Sequence, residues 1–456
     1  MRRDSGVRVV ALVAFLASAV AGFADDRADL DRAQKLAWSK HFAEAEQIYR
    51  DVLAHAPDSR EAAHGLAQVT LWQGRYREAR SRFLALGDRE GAAPAGYWQG
   101  DFRTAAREFS GLDSQFARES LAAIEQASRG TDRVDVDSLH DNQPLRTFRS
   151  SATSSMFSDP LTRWDVTAGG SLLSAPRFEE RRRLAFASVA NERVLPWQRL
   201  TIDSSFGVQR YPDGSSRPVG GVALRYRPSN ESTFAASIEH RELLTNDTAM
   251  ATHPSVTRSV ISWTRYRERS WFAGFENGSL RYFDRNRGRY AQGYALLPVA
   301  VHRTPVAVYL GASAAIRDTA ENRFGLDAFS GSHSSTGDFV YAYRGSYSPY
   351  WTPKHLREAR AIALVTGTIN RVSWKAQFEG GVARDDVIAF GPSRGPAPLP
   401  QGIFSFDFVR TSHPARGAIT FTTPIASRYS FECTIERSVT AFYAANAIHG
   451  SLVRHR

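Results

Sequence analysis

The residues able to do chemistry are few and scattered. His253, His302, His333, His355 and His413 show no i, i+4 pair and no metal-ligand spacing. Glu179–Glu180 and Asp385–Asp386 are adjacent carboxylates. Neighbours on a strand point to opposite faces, so neither pair converges on one substrate. The one cysteine, Cys433, excludes an internal disulfide framework and a Cys-rich zinc module; on an apolar strand face it is a packing residue. No nucleophile elbow, phosphate loop or dinucleotide fingerprint occurs. The pattern is not that of an enzyme, and no catalytic residue, metal ligand or cofactor is expected.

What the chain has in quantity is arginine. Lys and Arg total 58 against 47 Asp and Glu, a net charge of +11, and the only lysines are Lys35, Lys40, Lys354 and Lys375. The excess is uneven. Residues 25–130 carry 15 basic and 17 acidic side chains, residues 131–456 carry 40 and 29. Such a balance suits anionic lipid headgroups or an anionic polymer, or reflects a compositional bias toward Arg. Nucleic acid is set aside because the N-terminus directs the chain out of the cytoplasm. Met1-Arg2-Arg3, an apolar stretch from Val7 to Ala21 and small residues up to Ala24 read as a signal peptide over 1–24. No later run of 18 apolar residues occurs, so the mature chain does not cross a membrane as helices.

Two kinds of element must position whatever these residues do. In 25–130 the pattern Lys40-x-Phe42-x-x-Ala45-x-x-x-Tyr49 returns as Gly74-x-Tyr76-x-x-Ala79-x-x-x-Phe83 and as Gly100-x-Phe102-x-x-Ala105-x-x-x-Phe109. The first offset is 34 residues and the second 26. A 34-residue period of this composition resembles the tetratricopeptide repeat: the alanines let paired helices approach and the aromatics fill the space between pairs. Pro57 sits where the second helix should stop. Gly91–Gly96 occupies the shortened first helix of the third copy. A short helical stack reads as a docking surface for a periplasmic or inner-membrane protein.

Residues 131–155 are polar and irregular and read as a hinge. From 156 to 456 the period is two. Leu200, Ile202, Phe206 and Val208 alternate with Thr201, Asp203 and Gly207; Trp374, Ala376, Phe378 and Val382 alternate with Lys375, Gln377 and Glu379. Turn clusters such as Pro212-Asp213-Gly214 and Asn286-Arg287-Gly288 separate the runs. The polar face carries Arg, Glu, Lys and Gln, which a sandwich would have to bury and a wide barrel wets. The expected fold is therefore α + β and multidomain: a helical repeat stack followed by an antiparallel transmembrane barrel of ~14–16 strands in outer-membrane lipid. Arg225, Arg227, Arg344, Lys375 and Glu379 are the expected lumen residues, the arginines attracting an anionic chain. Tyr211, Tyr226, Trp271, Tyr282, Tyr290, Tyr350 and Trp351 are expected in an aromatic girdle.

The order signal, repeat stack, barrel resembles outer-membrane exopolysaccharide secretion proteins, with the cellulose synthase operon protein C family as the nearest analogue. That family carries a Gly-Tyr-Phe-Ser-Pro segment, and this chain has Gly345-Ser346-Tyr347-Ser348-Pro349. The resemblance implies export or passage of a polysaccharide and assigns Gly345, Tyr347, Ser348 and Pro349 to a segment entering a late barrel strand. The family has many more helical repeats, and the chain ends Leu452-Val453-Arg454-His455-Arg456 rather than on an aromatic residue. Either the last strand stops near Phe442–Tyr443, or its end is atypical. A closed structural or adhesive barrel, and a soluble periplasmic β-sandwich, are the alternatives.

Overall fold

The computed structural model describes residues 26–142, 145–174, 181–243, 252–267, 270–300, 305–333, 339–392, 403–441 and 443–456. The signal segment, Glu179–Glu180 and His302 lie outside the described residues. Two compact units emerge, helices to Ser128 and a sheet from Arg129 onward.

The helical unit has seven helices: α1 (26–38), α2 (Phe42–His55), α3 (Arg60–Trp72), α4 (Tyr76–Ala85), α5 (Arg89–Gln99), α6 (Phe102–Phe109) and α7 (Gln115–Ala127). Ser59, Asp88, Asp101 and Ser114 each accept a backbone N–H of the first turn that follows them, filling donors that a helix start leaves unpaired. The repeat positions fall where the pattern requires. Gly74 and Gly100 take positive φ at the turn, as does Lys40 in the first copy. Ala45, Ala79, Ala105, Tyr49, Phe83 and Phe109 are buried; Phe42, Tyr76 and Phe102 pack at the edges of the same clusters. The buried aromatic of each early copy lies over a glycine of the next helix. A Cβ on Gly65 would stand 2.4 Å from the Tyr49 ring, and one on Gly91 2.4 Å from the Phe83 ring.

The sheet is built from β1 (Thr131–Asp141), β2 (Arg146–Asp159), β3 (Thr162–Ser174), β4 (Arg182–Leu195), β5 (Leu200–Arg210), β6 (Ser216–Tyr226), β7 (Ser232–Glu242), β8 (Ser255–Arg265), β9 (Phe272–Tyr282), β10 (Arg287–Ala300), β11 (Val306–Thr319), β12 (Phe324–His333), β13 (Phe339–Tyr347), β14 (Lys354–Ile369), β15 (Val372–Pro392), β16 (Ile403–Ser412), β17 (Ala415–Ala426), β18 (Tyr429–Val439) and β19 (Ala444–His455). Neighbours in sequence pair antiparallel, and β1 pairs with both β2 and β19, so the sheet closes on itself. Hairpin β12–β13 stands apart. β16 pairs with the upper half of β15 and β17 with its lower half, so the two share one position in a wall of 16 strands.

Residues 131–155 are therefore not a hinge. They form β1 and most of β2, and β1 is the strand that closes the barrel. Its polar look has a physical cause: Arg133, Asp135 and Asp137 face the interior, while Val134 and Val136 are exposed on the outside. The last strand runs to His455 rather than stopping near Tyr443. The sandwich alternative falls on the direction of the apolar face. Phe206, Ile238, Ile261, Leu297, Ile316, Phe378 and Ile435 all point outward and are more than half exposed, whereas the opposite faces carry ion pairs. No helix among the described residues is long and apolar enough to cross a membrane; strands of this kind cross as a closed barrel.

Candidate functional site

The inward faces form the site. Register brings Arg225, Arg258, Arg360 and Arg416 beside carboxylates of neighbouring strands. Arg225 (β6) lies 2.6 Å from both Asp203 (β5) and Glu192 (β4). Arg258 (β8) binds Glu276 (β9), and the Tyr290 (β10) hydroxyl donates to the same carboxylate at 2.6 Å. A longer chain crosses β14, β15, β17 and β18. Arg360 meets Glu358 at 2.5 Å and Glu379 at 3.2 Å; Arg416 meets Glu379 at 3.3 Å and Glu436 at 2.7 Å. Near the seam, Arg133 pairs with Asp135 and His449 with Asp137.

A lumen cavity of about 600 Å³ lies against the β8–β17 part of this wall. Its charged lining is Glu276, Glu358, Arg360, Lys375, Glu379 and Arg416, three anions and three cations, with Tyr294, Gln292 and Gln377 beside them. Of the expected lumen residues, Arg225, Lys375 and Glu379 face inward. Arg227 does not: it follows β6 in an exposed turn, its amide donating to the Arg199 carbonyl. Arg344 is on β13, outside the wall, and its side chain is outside those described. The picture of free arginines lining the lumen is corrected as well, because Arg225, Arg258, Arg360 and Arg416 each meet an acidic residue that faces inward on a neighbouring strand. Sequence alternation gives the face of each side chain and leaves its cross-strand neighbour undefined.

The connection between β11 and β14, residues 320–353, contains the β12–β13 hairpin and the Gly345–Pro349 segment. It is a strap anchored on inward-facing groups. Tyr350 is 1% exposed, stacks on Tyr282 with ring centroids 4.1 Å apart, and its hydroxyl donates to Asp284 at 2.7 Å. Trp351 lies under the Arg317 guanidinium at 4.5 Å. Tyr347 packs on Phe324 and donates to Asp385, which Arg410 holds at 2.6 Å. Burial first, and then the Asp284 carboxylate, push the Tyr350 hydroxyl above its ordinary pKa, so it stays a donor. The segment that the resemblance places at the entry to a late barrel strand is thus the foot of a strap inside the rim. Tyr282, Tyr290, Tyr350 and Trp351 belong to this inner packing and not to a girdle, and Tyr211 is buried against His253. Tyr226 and Tyr266 are exposed at strand ends.

On the helical unit, Trp38, Trp72 and Trp98 are exposed and occupy the same place in the three copies, two residues before Lys40, Gly74 and Gly100. The repeated Trp-x-Lys/Gly spacing was visible in the sequence, but exposure was not. Among the described residues no three His, Cys, Asp or Glu side chains gather to hold a metal. Ser215, His253 and Asp213 approach one another at the β5–β6 turn. The Ser215–His253 and His253–Asp213 separations of 3.5 and 3.7 Å are looser than the hydrogen bonds of a nucleophile and base, and Asp213 also accepts the Ser215 amide.

The tetratricopeptide repeat family model matches residues 39–98. No match is found among curated proteins. Among solved structures, a bacterial polysaccharide outer membrane secretin is 9% identical with a TM-score of 0.50, covering 72% of this chain and 99% of its own. CdiB from Acinetobacter baumannii is 8% identical (TM-score 0.40; 71% and 60% covered), and OccK5 (OpdH) of Pseudomonas aeruginosa 7% identical (TM-score 0.35; 72% and 97% covered). The chain is an outer-membrane-type β-barrel with an N-terminal tetratricopeptide-repeat unit.

Proposed function

We propose that this protein passes a polysaccharide across the outer membrane, with its helical repeats in the periplasm docking a protein of the export apparatus. The observation that carries the reading is the lumen wall: a wetted cavity whose carboxylates accept, whose guanidinium groups donate, and whose Tyr294 offers an aromatic face. Sugar hydroxyls need those three groups. The self-neutralised wall favours an uncharged polymer over the anionic one that composition alone suggests, because Arg225, Arg360 and Arg416 already have counterions. The exposed Trp38, Trp72 and Trp98 are the docking residues, since aromatic side chains dominate contact energetics at protein interfaces.

Full-length protein in planar bilayers tests the conduit. Current with little preference between cation and anion is expected, and it should be blocked by uncharged oligosaccharides from the lumen. Strong anion selectivity would return the anionic polymer. A closed structural barrel is the second reading, favoured by the strap inside the rim; liposomes that admit neither salt nor sugar would establish it. Triple Trp→Ala replacement at 38, 72 and 98 should abolish capture of the periplasmic partner while the helical signal in circular dichroism is retained.

A further inference from the structure

The outside of the barrel carries a feature that passage through the lumen does not use. On β9 and β10 the outward positions near the β9–β10 turn are Arg281, Arg287 and Arg289, with Arg285 in the turn itself. All four are exposed, and none has an ion pair among the described residues. Arg281 and Arg287 are direct cross-strand partners, and Arg289 lies diagonal to Arg281. Like charges placed opposite one another on one face repel unless an anion lies between them. The nearest outward carboxylate is Asp318 on β11, across from Arg289 in register; its Oδ1 accepts the His355 amide. His240 and Thr257, bonded to each other at 3.0 Å, flank the cluster on β7 and β8.

Immediately toward the barrel waist, the same face opens into a groove of about 720 Å³. Its sides are Val222, Leu224, Ile238 and Ile261, its floor is made of small residues such as Ala236, Ser259 and Ser279, and Arg289 stands at its end. An apolar trough with Arg289 at its end, and Arg281 and Arg287 at neighbouring outward positions, matches a molecule with acyl chains below and phosphates above. The turn between β9 and β10 lies at the same end as the long connections β7–β8, β11–β14 and β15–β16, the end that faces outward in barrels of this kind. Charges facing lipid are costly at mid-bilayer and tolerated at the interface, where these residues fall.

We infer that this face binds a phosphorylated, multiply acylated glycolipid of the outer leaflet, its phosphates held by Arg281, Arg287 and Arg289 and an acyl chain in the Val222–Ile261 groove. Guanidinium groups grip phosphate through paired hydrogen bonds, which makes Arg the fitting residue here.

Native mass spectrometry of the full-length protein in detergent tests this, with diphosphoryl lipid A, monophosphoryl lipid A, phosphatidylglycerol and inorganic phosphate as separate probes. Retention is expected in the order diphosphoryl, monophosphoryl, phosphatidylglycerol. Joint replacement Arg281→Gln, Arg287→Gln and Arg289→Gln should weaken diphosphoryl lipid A at least tenfold, and Ile238→Ser with Ile261→Ser should weaken it with the arginines intact. Heat-modifiable gel migration checks that each variant is still a folded barrel. Equal retention by the arginine variant overturns the inference. So does phosphatidylglycerol binding as well as diphosphoryl lipid A, which would mean ordinary annular lipid. Displacement of the lipid by millimolar inorganic phosphate, with no effect of the groove substitutions, would also overturn it, leaving a bare anion site.

Discussion

Gly65 and Gly91 are the residues on which the helical stack turns, though neither belongs to the repeated motif. Each gives the space that the aromatic of the preceding helix fills. Gly65→Ala should therefore destabilise the unit by about 1–3 kcal/mol, the usual effect of forcing a methyl group into a packed site, as read by thermal unfolding followed by circular dichroism. Glu46 is the other sensitive residue. Burial opposes its ionisation, but hydrogen bonds from Arg75 and Gln73 and the charges of Arg75 and Arg50 outweigh it and hold the carboxyl below its ordinary value. A depressed folded-state pKa adds stability above the unfolded-state value and loses it as pH falls through the folded-state value. Wild type should thus lose its advantage over Glu46→Gln as the solution is acidified below the normal Glu range. An advantage that stays constant through and below that range would show that the arginines do not act on the carboxylate.

The strap is the element whose role is most open to experiment. Its contacts with the wall include the aromatic residues Phe324, Tyr347, Tyr350 and Trp351, and Arg323, which holds Asp284 at 2.9 Å. Asn286 pins its start, accepting from the Glu321 amide and donating to the Glu321 carbonyl. Tyr350→Ala would empty a fully buried site, a change that costs about 3–5 kcal/mol for a large aromatic. The strap should loosen, and single-channel conductance in planar bilayers should rise while the barrel remains heat-modifiable. Unchanged conductance would place the strap outside the conduction path. The Gly345–Pro349 segment was legible as a motif, and its position was not. A strand and the foot of a strap look alike in sequence when both end in aromatics.

At the scale of the molecule, the barrel is turned inside out relative to a soluble protein: apolar outside, ion pairs within. Val136 sits on the outer face in the middle of β1, the strand that closes the barrel. Val136→Arg should destabilise the barrel by about 2–4 kcal/mol if the position lies at the bilayer midplane, and by less toward the interface, as measured by urea unfolding in vesicles. An inward Asp135→Asn change should cost less, because that face meets water. If both changes were equally harmless, β1 would not be part of a lipid-facing wall.

The sequence by itself determined the two architectures and their order. A 34-residue period and a two-residue alternation are local regularities, each fixed by how side chains leave a helix or a strand. It also determined the inward face of Arg225, Lys375 and Glu379, since alternation assigns faces. Only the tertiary structure decided which carboxylate stands beside which arginine, that β1 closes on β19, and that Arg281 and Arg287 stand opposite one another beside Arg289 on the outer face. Those facts depend on register between strands up to 324 residues apart, as the Asp132–Arg456 contact at the seam illustrates. Register is set by closure of the whole sheet and leaves no local trace in the chain.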